Sequence, residues 1–536
     1  MVRLFDFVLP KESVCTVQTL YYRVATPSDS AVRCEENALV FSENSTVSFN
    51  TYFNCFPYSQ YSQYTRVKTV SVLLEVRGAF VARLYLLSPS AGRKLLQERE
   101  TEVSAGRLLE FDQSLEALPE GGILYAELTA RSVGAVFYGG SYLAETDGAE
   151  NPVRAAAVVC TYKRESFVYS NMSRVTEALY RDADSPIREK MDFFIVDNGN
   201  SIDQSKIGNK HIQVFPNKNW GGSGGFTRGM IEACREPGKY THVLLMDDDI
   251  TFETQSLVRT VGFLKTLKPA YAEYSLAAGM LERDRPYLQY GTGGVWSGRC
   301  GALLKSGLDL RETVSLLKDE AEEKADYSSW WYTCIPLSAV RKSGLPFPFF
   351  IKADDEEYGA RTGRNFIFLS GAGVWHDSFS AKYNARLEYY IKRNEMIFNT
   401  LHFSAFGLWH NLAKLILALG KQALVYRFAG VDYLFAAYRD FLEGPDFFLR
   451  TDAEELNRQL SEMPKCTRAH PFFSMLAGFF RTAAKMFAGY GAASESYRSR
   501  LEELTSFEFW CSRLGIEPTG EQTPDETMKN GSVLLR

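Results

Sequence analysis

The sequence predicts an α/β domain set between an N-terminal β-sandwich and a C-terminal helical domain. Three patterns carry that reading. Alternating apolar and polar residues mark residues 1–150, and continuous apolar runs separated by helical stretches mark 151–390. Leucine, alanine, phenylalanine and lysine at helical spacing mark 391–536. A chain of 536 residues has room for three such domains.

In the first domain Val70, Val72, Leu74 and Val76 alternate with Ser71, Leu73, Glu75 and Arg77. Further apolar runs follow at Phe80–Leu87 and Ile123–Ala130, punctuated by Ser88-Pro89-Ser90. Short strands so spaced predict a sandwich or jelly roll. The upstream stretch from Asn50 to Tyr58 is rich in aromatics, which serve either as a platform for a sugar ring or as sheet core. After the turn at Gly148–Pro152, the runs Ala155–Cys160, Phe193–Val196 and Val243–Met246 predict parallel strands covered on both faces. From about Tyr389 onward the pattern is helical.

Composition excludes several classes. With 45% hydrophobic, 23% charged and 14% aromatic residues the chain is globular rather than disordered or fibrous. Sixty Lys+Arg against 65 Asp+Glu lack the basic footprint of a nucleic-acid binder, so no nucleic-acid partner is expected. Nine scattered cysteines without a CxxC pair read as reduced thiols of a cytosolic protein. The N-terminal apolar stretch contains Asp6 and lacks a signal-peptide core. The best apolar segment, Ile397–Phe428, is broken by His402, His410, Lys414, Lys421 and Arg427, so no membrane span is expected.

Chemistry concentrates after the apolar runs of the middle domain, where parallel sheets place their ligands. Asp247-Asp248-Asp249 directly follows Val243–Met246, and carboxylates at i and i+2 in extended chain point the same way. Hard oxygens of that kind suit Mg²⁺ or Mn²⁺, which eases departure of a nucleoside diphosphate. His376 ends another apolar run and offers an imidazole as a further ligand. Gly221-Gly222-Ser223-Gly224-Gly225 matches neither a P-loop nor a dinucleotide fingerprint. It predicts a loop that lets backbone approach a ligand, ahead of a helix from about Thr227. Asp354-Asp355-Glu356-Glu357 places a candidate general base near a sugar hydroxyl. Trp330-Trp331 supplies flat faces of the kind that stack on sugars.

In this order the motifs resemble the inverting GT-A (Rossmann-like) glycosyltransferases of family 2, specifically the polymerising galactofuranosyltransferases of mycobacterial galactan. The similarity is densest from Cys160 to Asn394 and extends into the β domain through Thr51-Tyr52-Phe53-Asn54. It implies that Arg164, Asn198, Asn219 and Asp248 bind the donor, and that Asp247, Asp249 and His376 hold Mn²⁺ or Mg²⁺. It further implies that Trp330, Trp331 and Asp354 meet the acceptor, and it selects Asp355 as the catalytic base. Two positions depart from the family: Ala353 replaces a tryptophan, and no acidic residue stands near Tyr290–Gly294.

The function expected from this resemblance is transfer of galactofuranose from UDP-galactofuranose to a growing cell-surface glycan or glycolipid. The alternatives are the same fold with another donor such as dTDP-rhamnose, or a glycan-binding protein with an inactive transferase domain. The expected setting is cytoplasmic, as a homo-oligomer peripheral to the inner membrane face. Phe472, Phe473, Met475, Leu476, Phe479 and Phe480, beside Arg481 and Lys485, would supply the membrane contact.

Overall fold

The structure is a computed structural model and describes residues 1–25, 31–298, 303–378, 384–424, 430–463 and 471–518. Seven cysteines among them are free thiols; Cys300 and Cys466 lie outside the described residues.

The N-terminal part is a nine-stranded antiparallel sheet. Its organiser is one strand, Val67–Ser88, that pairs along most of its length with Gly92–Ser114. On its other side it pairs first with Ala135–Thr146 and then with Ile123–Ala130. The change of partner falls at Gly78, a bulge with φ +101°. A Cβ there would sit 2.9 Å from the Ala135 backbone, so glycine is what lets one strand serve both halves. Short separate strands were expected; the bulge instead fuses two alternating runs into one 22-residue strand. Rings from the two halves meet, Phe49 against Phe137 at 4.9 Å and Phe41 against Phe80 at 5.1 Å.

A second sheet carries the site. Its order is Ile212–Pro216, Met191–Asp197, Ala155–Thr161, His242–Asp247, Tyr332–Pro336, Ser275–Glu282, Phe366–His376 and Thr251–Phe252. The first four strands are mutually parallel, and Tyr332–Pro336 runs antiparallel to both its neighbours. Strand periodicity divides the side chains between two cores. Ala155, Ala157, Val159, Leu244 and Met246 join the core shared with the N-terminal sheet. Ala156, Val158, Val243 and Leu245 join a second core built with the C-terminal helices. Burial on both faces is why these strands read as continuous apolar runs.

The Asn50–Tyr58 aromatics form the seam between the two sheets and not a sugar platform. Tyr52, Phe53, Phe56 and Tyr58 are all buried. Tyr52 donates to the Ala372 carbonyl at 2.8 Å, and the Phe53 carbonyl accepts from the buried Arg259 at 2.7 Å. The C-terminal helices include Leu387–His402, Leu408–Leu424, Val431–Leu442, Ala453–Glu462 and Pro471–Ser499. They dock partly through Trp510, whose indole N–H donates to the Pro346 carbonyl at 2.8 Å.

Candidate active site

Open α/β sheets bind ligands beyond the carboxyl ends of their strands, where the strand order reverses. Here the chain steps outward from Ala155–Thr161 through Met191–Asp197 to Ile212–Pro216. It then returns to lay His242–Asp247 on the other side of Ala155–Thr161. The reversal puts Cys160 in register with Asp247 and Thr161 in register with Asp197. A cavity of about 960 Å³ opens there, lined among others by Thr161, Arg164, Asn198, Asn219, Asp247 and Asp248.

After Asp247 the chain turns, and Thr251–Phe252 pairs with Val374 and Trp375. That short pairing folds the acidic turn onto the end of the Phe366–His376 strand. Ligand atoms of Asp247, Asp249 and His376 consequently lie within 4.8 Å of one another. His376 Nε2 is 3.0 Å from Asp249 Oδ1 and 3.9 Å from Asp247 Oδ2. Its Nδ1 faces the Asp377 carbonyl at 2.6 Å; a carbonyl can only accept, so Nδ1 carries the proton and Nε2 is turned to the carboxylates. Two hard oxygens and an oriented imidazole fit Mn²⁺ or Mg²⁺.

Arg164 sits beside this cluster, 3.0 Å from Asp248 Oδ1 and 2.5 Å from Asp249 Oδ2. Burial works against its charge, but Asp248 and Asp249 outweigh it and raise the guanidinium's pKa. The other oxygen of Asp248 accepts from the Thr161 hydroxyl at 2.8 Å. Burial pushes the Asp248 carboxyl up, while Arg164 and Thr161 oppose that shift. Asp248 thus lines the cavity while orienting Arg164.

The glycine run is a helix and not a loop. It opens Gly221–Cys234, and tight packing explains its composition. A Cβ on Gly225 would fall 2.0 Å from Cys160 Sγ, and Gly221 has φ +64° with the Phe350 carbonyl 2.1 Å from a Cβ position. Asn198 reaches the cavity wall with its amide engaged: Nδ2 donates to the Gly221 carbonyl at 2.9 Å and Oδ1 accepts from Asn217 at 2.8 Å. Asn219 donates to Glu454 at 3.2 Å.

Asp354 and Asp355 open the helix Asp354–Arg361, whose first turn holds all four acids, where the helix dipole favours them. Adjacent residues of this helix differ in direction by about 100°, so the two carboxylates leave it on different sides. Ahead of the helix, Phe350, Lys352 and Ala353 all have positive φ, at 77°, 70° and 64°. Such backbone persists only where surrounding structure enforces it, and it clusters at functional sites. Asp354 is buried and accepts from the Ser223 hydroxyl at 2.9 Å, one residue from the cavity-lining Gly222. Burial, followed by the charges of Glu356 and Asp354, pushes the half-buried Asp355 well above the usual carboxylate range.

The tryptophan pair is placed differently from expectation. Trp330 and Trp331 are 5% and 3% exposed and fall into different cores. Trp330 packs on Phe226 and Tyr358, whereas the Trp331 indole donates to the Ala278 carbonyl at 2.9 Å. Adjacent side chains leading into a strand point to opposite faces, so the two rings form no shared platform.

One wall of the cavity escaped sequence reasoning. Arg386 and the helix Ala453–Glu462, through Glu454, Glu455, Asn457, Arg458 and Ser461, close it from the C-terminal region. The helix is fastened to the segment before Gly221 by Lys218–Asp452 at 2.9 Å and Asn219–Glu454. Its charged composition reads as a solvated helix, and only the tertiary fold brings it here.

The model of the galactofuranosyltransferase 2 N-terminal domain matches residues 4–143. The galactofuranosyltransferase GlfT2 of Mycolicibacterium smegmatis is 26% identical over 463 residues, covering 80% of this chain and 69% of the relative. GlfT2 of Mycobacterium tuberculosis is 25% identical over 467 residues, covering 80% and 70%. Among solved structures, the mannosyltransferase PcManGT of Pyrobaculum calidifontis aligns with 63% of this chain and 89% of its own. Its identity is 12% and its TM-score 0.30. By the family model at residues 4–143, and by two relatives over four fifths of its length, the chain is similar to the galactofuranosyltransferases named GlfT2.

Proposed function

We propose that the chain transfers galactofuranose from UDP-galactofuranose to a growing cell-surface glycan, through a GT-A-type, metal-dependent, inverting single displacement. The observation that carries this is the convergence of Asp247, Asp249 and His376 at the strand-order reversal, where Asp247 also lines a cavity of about 960 Å³. The names of the GlfT2 relatives support the donor sugar.

In this reading the acceptor hydroxyl attacks the anomeric carbon while the bond to UDP breaks and its electron pair leaves with the diphosphate. Asp355 takes the hydroxyl proton, and its raised pKa suits a base that must work near neutral pH. Asp354, fixed by Ser223, orients the acceptor hydroxyl. Arg164, Asn198, Asn219 and Asp248 shape the donor side, and Asp247, Asp249 and His376 would hold Mn²⁺ or Mg²⁺. The ion, when bound, neutralises charge on the diphosphate. Trp330 and Trp331 support the site as a whole from the core rather than by stacking on sugar. UDP release measured across UDP-galactofuranose, UDP-galactopyranose and dTDP-rhamnose with Mn²⁺ tests the reading. Preference for dTDP-rhamnose, or glycan binding with no turnover of any donor, defeats it.

The setting proposed is the inner membrane face. No helix among the described residues is long and apolar enough to cross a membrane. Yet Phe472, Phe473, Leu476 and Phe480 are exposed on the helix Pro471–Ser499, and Trp409, Ile416 and Leu417 on Leu408–Leu424. The two helices pack together, with Trp409 on Phe487 at 5.2 Å, so the residues support one interfacial surface. Met475 is instead buried, and Phe479 packs against the second core. Vesicle flotation that is lost in Phe473→Glu/Phe480→Glu supports the placement, and a wild type that does not float ends it.

A further inference from the structure

We infer that Arg386 binds a phosphate group within the donor cavity, a contact beyond the donor and metal residues named above and resting on the nucleotide-sugar reading. Three arginines line the cavity among the described residues: Arg164, Arg386 and Arg458. Two are committed. Arg164 is paired with Asp248 and Asp249. Arg458 is held by Glu455 at 2.6 Å and Glu462 at 2.8 Å on its own helix.

Arg386 is half-buried, and among the described residues its guanidinium meets only the Asn457 carbonyl, at 3.5 Å. That is the far limit of a hydrogen bond, so toward the described residues nearly all its donor capacity is unspent. Around it the wall is acidic: Asp247, Asp248, Asp452, Glu454 and Glu455 face the same space. A phosphate entering such a cavity needs cations. Arg164 is already neutralised by the acids that flank it, which leaves a bound metal ion and Arg386. The guanidinium fork matches two phosphate oxygens, and Arg386 stands at the N-cap position of Leu387–His402 with no capping hydrogen bond from its side chain.

Two sources could supply that group: the diphosphate of the donor, or the phosphate of a lipid-linked acceptor. Titration calorimetry of UDP and of uridine with Mn²⁺, on wild type, Arg386→Gln and Arg386→Lys, separates them. A donor contact predicts that Arg386→Gln weakens UDP by about ten- to a hundredfold and leaves uridine unchanged, with partial recovery in Arg386→Lys. An acceptor contact predicts unchanged UDP affinity, with KM raised for a lipid-diphosphate glycan and not for the neutral glycoside of the same glycan. Should Arg386→Gln melt early, a loss in Arg386→Lys confined to phosphate-bearing ligands carries the same conclusion. Unchanged affinity for every ligand, or equal losses with and without phosphate, overturns the inference alone. A wild type that binds no UDP overturns the nucleotide-sugar reading, and the inference with it.

Discussion

Replacing Glu357 by glutamine should destabilise the protein by about 3 kcal/mol at neutral pH and slow transfer without weakening UDP binding. Glu357 lies in the same short helix as Asp354 and Asp355 and is fully buried. Arg361 reaches it at 2.8 and 3.0 Å and His402 at 2.9 Å, while Arg361 also donates to the Leu345 carbonyl at 2.8 Å. Burial alone would raise the carboxyl, but Arg361 and His402 overcome it and bring it from 4.5 down to about 2. At about 1.4 kcal/mol per pH unit, that displacement corresponds to roughly 3 kcal/mol. Removing one partner of a buried pair typically costs about 3–5 kcal/mol, which agrees. The pKa is depressed, so the contribution is present above the ordinary value and is lost as pH falls from about 4.5 toward 2. Urea unfolding of wild type and Glu357→Gln at neutral pH, and in steps below pH 4.5, measures it. The gap in unfolding free energy should be about 3 kcal/mol at neutral pH and should narrow in acid. Equal stabilities at neutral pH, or a gap that stays constant into the acid range, would refute the reasoning.

Four further outcomes follow from the same geometry. Asp249→Ala, or excess chelator with the wild type, should abolish transfer while leaving circular dichroism unchanged; full activity in chelator would remove the metal cluster from the reaction. Asp355→Asn should retain UDP affinity by calorimetry and lose about 10²–10⁴ in single-turnover rate. Because the Asp355 carboxyl is raised, the wild-type rate should fall on acidification above the ordinary aspartate range, and Glu356→Gln should move that limb to lower pH. Trp331→Ala should cost about 3–5 kcal/mol in unfolding experiments and depress donor hydrolysis and acceptor use together; a selective loss of acceptor use would restore a stacking role.

Sequence legibility followed the range of the interactions. The acid triplet was readable because a buried strand forces whatever follows it to the sheet edge, and His376 was readable for the same reason. That His376 meets Asp249 depends on the two-residue strand Thr251–Phe252, too short to leave a pattern. Glycines signal loops locally, so the helix start at Gly221 was hidden; the close approach of Cys160 that demands Gly225 is a tertiary fact. The tryptophan pair shows the converse, since buried and exposed aromatics look alike until the two cores are known. Lys218, Asn219, Asp452 and Glu454 are polar residues more than 200 positions apart, and no periodicity announces that they close one cavity.

The central claim is tested most directly by mass spectrometry of a galactofuranosyl acceptor incubated with the protein, UDP-galactofuranose and Mn²⁺. The account predicts successive products each heavier by one anhydrohexose, with one UDP released per addition, and none after chelation or with Asp355→Asn. An acceptor that stays unmodified with UDP-galactofuranose but gains a deoxyhexose from dTDP-rhamnose would contradict it.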